Sequence, residues 1–227
     1  MNDKELFDLW ENTIKIELTK EIVSNKGIWG IIHNLGHKAT AHLINSCNVG
    51  DDDVILEIGC GNCNSTKYLA DKYIKNYIGL ELSWKMLSIA EHAVSRINAN
   101  LYQMPIHDAS VAVAVSIYNL EHLHQLDKAL DEVYRVLKDD GRFVFTIPME
   151  DGFLYNTGRN FTTRRYVEKK YNVDYMKIIH EYEHPNTAGE ILKKINNKFI
   201  IKRRMFLPFL LPSVAINIMG VFQAVKR

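Results

Sequence analysis

Residues 54–61 read Val-Ile-Leu-Glu-Ile-Gly-Cys-Gly. The apolar run predicts a buried strand ending in the carboxylate Glu57. Gly59 and Gly61 predict a tight turn, and Ser65–Lys72 a helix-like stretch. Glycine admits the dihedrals of such a turn and lets a ligand approach with no Cβ in the way. The free N–H groups at the following helix start favour polar or anionic ligand atoms. A second apolar strand, Tyr77–Leu80, closes on Glu81, 20 positions after Gly61. That spacing suits a carboxylate that holds the ribose of a nucleotide in a βαβ unit. A dinucleotide fingerprint would place a third glycine at position 64, which here is Asn64. Glu57, two residues ahead of Gly59, is instead placed to hold a cationic group.

With these residues in view, Glu57-Ile-Gly-Cys-Gly-Asn-Cys63 resembles the first motif of class I S-adenosylmethionine-dependent methyltransferases, in their small-molecule and quinone branch. The resemblance runs from Val54 to about Met149. Gly79-Leu-Glu-Leu-Ser83 is similar to the second motif, and Met104-Pro105, Asp108 and Ser110 to the stretch around the adenine. Asp131–Leu137 and Lys138-Asp-Asp-Gly141-Arg-Phe-Val-Phe resemble the following helix, turn and fifth strand. The resemblance implies S-adenosylmethionine as cofactor and S-adenosylhomocysteine as product. It implies that Glu57, Gly59, Cys60 and Gly61 hold the methionine part, and that Glu81 takes the ribose hydroxyls. It further implies Leu82 beside the adenine, Asn100 accepting from its amino group, Leu101 also in the cofactor site, and Ser116 and Ile117 near the methionine end. Cys63 stands where the family has a third glycine, Asn100 where it has an aspartate, and Ala112 where an aspartate is common.

The expected fold is a Rossmann-like α/β domain. It has a seven-stranded, mostly parallel sheet, helices on both faces and an antiparallel last strand. Alternating strands and helices require right-handed crossovers, and ligands then sit beyond the carboxyl ends of the strands. A single domain over residues 1–227 divides into four parts. Residues 1–50 form a helical N-terminal cap, in which Phe7, Trp10, Ile14, Glu17 and Glu21 recur at helical spacing and Lys38–Asn45 is a second helix. Residues 51–149 are the cofactor-binding core, with Val113–Ile117 its fourth strand. Residues 150–198, rich in tyrosine, are a cap over the acceptor site. Residues 199–227 carry the final strands, near Lys198–Met205 and Gly220–Val225.

A chain of 227 residues with 24% charged and 47% hydrophobic residues suits one globular domain. Three cysteines and no apolar leader after Met1 point to a reducing, cytoplasmic setting. Charge is uneven: 13 Lys and Arg against 20 Asp and Glu up to residue 141, and 15 against 7 beyond it. Solvated faces account for such a split, and so does an anionic acceptor or membrane surface. Arg164 and Arg165 are the candidates for gripping an anionic acceptor, since guanidinium binds carboxylate or phosphate with two hydrogen bonds. The apolar run Met205–Phe222 reads as core, as the lining of a greasy pocket, or as a peripheral membrane contact.

His122, Tyr118 and His184 are the candidate catalytic groups, each able to act as a general base within hydrogen-bond reach of an acceptor. His33, His37 and His42 read as surface or satisfied histidines. Cys60-Gly-Asn-Cys63 has the spacing of a redox pair or half a zinc site, but no second pair exists, so no metal is expected. No nucleic-acid motif is present. The expected activity is methyl transfer to a small-molecule, lipid-like or sugar acceptor. A non-catalytic cofactor-binding module and an NAD-type oxidoreductase stay open.

Overall fold

The strand β1 (Val54–Ile58) is hydrogen-bonded in parallel to two other strands, and the sheet grows outward from it. The structure is a computed structural model that describes residues 2–18, 28–88 and 95–227. On one side of β1 lie β2 (Tyr77–Glu81) and β3 (Ser95–Asn98). On the other lie β4 (Val111–Ile117), β5 (Leu137–Pro148), β7 (Met219–Lys226) and β6 (Phe199–Leu207). The order is β3-β2-β1-β4-β5-β7-β6, and only β7 runs antiparallel to its neighbours. β1 and β4 are buried along nearly their whole length, as strands covered on both faces must be.

Both faces are covered. Amphipathic α5 (Leu126–Val136) and α9 (Ala188–Lys198) bury Leu130, Val133, Ile191 and Ile195 with Phe143, Phe145 and Phe199 on one side. Thr187 caps α9, accepting from the Glu190 N–H while Glu190 reaches back to the Thr187 N–H. The other face carries α2 (Ile28–Asn45), whose Ala41, Leu43 and Ile44 pack on Ile55, Val113 and Val144. This helix begins well before Lys38, its expected start; β-branched and glycine residues at 28–36 obscure the helical signal. Glu21 lies outside the described residues. After β1 the expected helix at Ser65–Lys72 is two short pieces, a 3₁₀ helix at Asn64–Tyr68 and α3 (Asp71–Ile74), and α4 (Trp84–Ser88) follows β2.

The cap is helical. α6 (Phe153–Arg159), α7 (Arg165–Tyr171) and α8 (Tyr175–Ile178) are linked or extended by π turns at Asn160–Arg164 and Ile179–Glu183. It packs on the N-terminal α1 (Asp3–Leu9) and the π turn behind it: Leu6, Trp10 and Ile14 are buried with Val167, Tyr175, Ile178 and Ile179. The uneven charge along the chain is matched across the fold. Lys170 pairs with Glu17 (2.6 Å), Lys177 with Asp3 (2.7 Å), Lys194 with Asp127 (2.7 Å), Lys198 with Asp131 (2.5 Å) and Lys226 with Asp139 (3.3 Å). Much of the basic third therefore faces the acidic two-thirds of its own chain.

Candidate functional site

The site forms where β1, β2 and β4 end. Gly59 and Gly61 have φ of +65° and +52°, a region open to glycine at little cost. Cys63, at the position of the missing third glycine, keeps a left-handed backbone at +58°. The Gly59 and Cys60 amides donate to the Leu80 carbonyl at 2.8 and 3.1 Å, tying the turn to β2. A Cβ on Gly59 would run into the Asn119 side chain, whose Nδ2 donates to the Ile58 carbonyl at 3.4 Å. Asn119 thus covers the turn, which the linear sequence did not reveal. The two cysteine sulfurs lie 2.7 Å from the position of a Cβ on Gly79. The Cys63 contact and burial push the Cys60 thiol far above its ordinary pKa, and both thiols are free. They fill space in the buried cluster beside β2.

Glu81 is half-buried at the carboxyl end of β2. One oxygen accepts from the Gly61 N–H (3.1 Å) and the other from the Ser83 N–H (2.9 Å), which leaves each oxygen a further lone pair. Beside it Leu82 and Trp84 form a bare apolar lip, 69% and 68% exposed. Asn98 donates to the Glu81 and Leu82 carbonyls and holds this rim. Asn100 Oδ1 accepts from the Tyr102 N–H at 2.9 Å and keeps a second lone pair. Leu101 packs on the core from the edge, while Ser116 and Ile117 are buried at the end of β4. Glu57 is buried too, accepting from the Ser65 hydroxyl (2.8 Å) and the Tyr77 hydroxyl (2.7 Å). Burial raises its pKa to about 7.

A Cβ on Gly61 would come no nearer than 3.7 Å to another side chain, at Met86. A glycine with φ of +52° beside a half-buried carboxylate and an apolar lip fits a nucleoside ligand.

The candidate catalytic residues separate into two places. Tyr118 turns toward α2, stacked on His33 (4.7 Å) and edge-on to His37 (5.8 Å). Its hydroxyl lies 3.4 Å from the His33 carbonyl and 3.1 Å from Met219 Sδ, and burial raises its pKa far above normal. His37, expected to be satisfied, is buried with Nδ1 unpartnered, and burial lowers its pKa to about 3.

His122 and His184 do meet, with ring centroids 4.6 Å apart. His122 Nδ1 donates to the Glu183 carbonyl at 2.7 Å, and burial lowers its pKa to about 4. His184 Nδ1 bonds Glu150; burial opposes its charge, but Glu150 outweighs this and the pKa is raised. Burial raises the pKa of Glu121, which neighbours both, to about 8. Asn186 staples the two segments, its Nδ2 donating to the Leu120 (3.3 Å) and Leu123 (2.7 Å) carbonyls.

Arg164 is tied to Glu168 at 2.8 Å, and both it and Arg165 line an open groove with Asn160, Phe161, Glu168 and Lys169. None of the implied cofactor residues lines that groove. The buried cation of the cap is Arg159, whose Nε and Nη1 have no hydrogen-bond partner and whose nearest carboxylate, Glu150, is 3.7 Å away. Between β6 and β7, Phe209, Leu210 and Leu211 are exposed on a loop that buried Asn217 ties together. No described helix is long and apolar enough to cross a membrane.

The family described as a methyltransferase domain matches residues 56–145. Residues 56–145 are a class I S-adenosylmethionine-dependent methyltransferase domain. An uncharacterized protein of Methanocaldococcus jannaschii is 37% identical over 101 residues, 44% of this chain and 38% of that protein. A Mycolicibacterium smegmatis protein named a probable S-adenosylmethionine-dependent methyltransferase is 29% identical over 129 residues, 56% of this chain and 48% of that protein. The chain thus spans less than half the length of these relatives. Among solved structures, an S-adenosylmethionine-dependent methyltransferase of Thermotoga maritima shares the fold at a TM-score of 0.63 and 19% identity, covering 94% of this chain and 99% of that one.

Proposed function

We propose that this chain is an enzyme that transfers a methyl group from S-adenosylmethionine to a small-molecule acceptor. The observation that carries the reading is the Glu81 carboxylate, aligned by the Gly61 and Ser83 amides and open toward the left-handed glycine turn. In this reading Glu81 accepts from the ribose hydroxyls, and Leu82 and Leu101 flank the adenine. Asn100 receives its amino group. The backbone of Gly59, Cys60 and Gly61 lines the methionine part, with Glu57 supplying negative charge beneath it and Ser116 and Ile117 closing the end of β4.

The cofactor, when bound, supplies a methyl group already activated as a sulfonium. The protein's own contribution is then to orient the acceptor and exclude water, and positioning alone supplies much of the rate. His122 or His184 would hold a proton from an acceptor that has to lose one. Tyr118, partly buried under α2, forms a wall. An anionic acceptor group fits buried Arg159 better than Arg164 or Arg165, because its two unpartnered donors lack a partner that a carboxylate or phosphate would supply.

Calorimetry with S-adenosylhomocysteine and, separately, NAD tests the reading. Binding of the former in the micromolar range, about −8 kcal/mol, is expected, with none for NAD. Glu81→Ala should weaken it by about 1–3 kcal/mol as the hydroxyls lose a charged acceptor. NAD binding without S-adenosylhomocysteine binding would turn the reading to an oxidoreductase. Radiolabelled methyl transfer to small-molecule extracts then separates an enzyme from a binding module.

A further inference from the structure

Two imidazoles and a buried carboxylate converge at the carboxyl end of β4 with no role in holding the fold that accounts for all their atoms. The Oε2 of Glu121 is fully buried and has no hydrogen-bond partner. A buried carboxylate oxygen left bare is costly unless something positive meets it. His122 and His184 each use Nδ1 on an acceptor, the Glu183 carbonyl and the Glu150 carboxylate. Because a carbonyl only accepts, His122 carries its proton on Nδ1, and a neutral ring then presents Nε2 as a lone pair. The same tautomer is set for His184 by Glu150. One ligand atom from each of Glu121, His122 and His184 lies within 4.8 Å of the other two.

We propose that Glu121, His122 and His184 bind a divalent first-row transition-metal ion. Two imidazole nitrogens and one carboxylate are the donor set of catalytic zinc and non-haem iron sites, which keep further positions open. The outer partners are in place: a metal-bound histidine normally gives its other N–H to a carboxylate or a backbone carbonyl, and here one of each is present. The local charge suits a cation. Among the described residues, Glu121, Glu150 and Glu183 face only Arg159 and Lys15 as permanent positive groups around the two imidazoles. Asn186 holds the segments bearing the ligands together, so the site is organised before an ion arrives. Glu121 and His122 are 62 positions or more from His184, which is why no ligand spacing is visible in the sequence. Half-buried His122 gives solvent access. If the methyl-transfer reading holds, the open positions would take an oxygen, nitrogen or sulfur of the acceptor.

The test is titration of the full chain, stripped with a chelator, with Zn²⁺ alone by calorimetry and with Co²⁺ alone by visible absorption. One Zn²⁺ per chain is expected, at about 10 µM or tighter, with a Co²⁺ band free of sulfur-to-metal charge transfer. Glu121→Gln and His184→Gln should each weaken Zn²⁺ binding at least tenfold, while a Cys60→Ser, Cys63→Ser double variant should retain it. S-adenosylhomocysteine binding and melting temperature show whether each variant is folded; His184→Ala and His122→Gln provide further variants if one is not. No Zn²⁺ uptake by the wild-type chain, undiminished uptake in both folded ligand variants, or uptake lost only with the cysteines would overturn the proposal. A chain that binds Zn²⁺ through these residues but not S-adenosylhomocysteine would sink the methyltransferase reading and leave this one standing.

Discussion

Glu57 illustrates how one residue sets a pH dependence. Its carboxyl is buried between Ser65 and Tyr77, and burial outweighs the two hydroxyl donors, lifting the pKa from its ordinary 4.5 to about 7. Between those values the folded chain keeps a proton that the unfolded chain has released. Stability therefore falls as pH rises through that window, by about 3 kcal/mol for the whole shift. Glu57→Gln keeps a side-chain oxygen for the hydroxyls and removes the charge. Urea unfolding at pH 5 and pH 8 should show the variant gaining on wild type at the higher pH, and an equal fall in both proteins would assign the dependence elsewhere. Saturating S-adenosylhomocysteine should shrink the wild-type fall, since an ammonium over Glu57 favours the ionised carboxyl.

At the scale of elements, β2 and the glycine turn touch through sulfur. Gly79 lies in the middle of β2, and a Cβ there would stand 2.7 Å from both cysteine sulfurs, which have no room to move in a buried cluster. Gly79→Ala should cost about 1–3 kcal/mol by overpacking, read by urea unfolding. The loss should be largely relieved in a Cys60→Ala, Cys63→Ala background; a fully additive triple variant would show that the sulfurs are not the obstacle. The strand ends were legible because apolar runs closing on Glu57 and Glu81 are local features. The parallel sheet followed from alternation, and the final strands from the family resemblance. Asn119 over the turn, Asn186 across the cap and the orphaned Arg159 were not legible. Each acquires its role from a partner in another segment, and nothing in the local pattern marks an asparagine as a staple or an arginine as buried. The charge split pointed to Arg164 and Arg165, and a linear tally cannot tell a docking face from ion pairs closed within one chain, such as Arg164–Glu168.

For the whole molecule, the N-terminal segment and the cap form one unit. Leu6, Trp10 and Ile14 supply its apolar contacts, and exposed Lys177–Asp3 and Lys170–Glu17 pairs add modestly at the rim. Removing residues 1–18 strips three large buried side chains, each worth about 1.5–3 kcal/mol. Hydrogen exchange should then show loss of protection across 165–183 with β4 and β5 still protected; unchanged exchange in the cap would show that it stands without the N-terminus. Trp10 is buried in that unit, 3% exposed, with Nε1 donating to Glu183 at 2.9 Å, whereas Trp84 stands in solvent on the lip beside Glu81. Trp10 and Trp84 are therefore native fluorophores of contrasting colour, one blue-shifted inside the cap and one red-shifted on the lip beside Glu81. Once Trp29 is replaced by phenylalanine, quenching of the red component would follow cofactor arrival, and a red drift of the blue component would follow opening of the cap, both in a single emission spectrum without any added label.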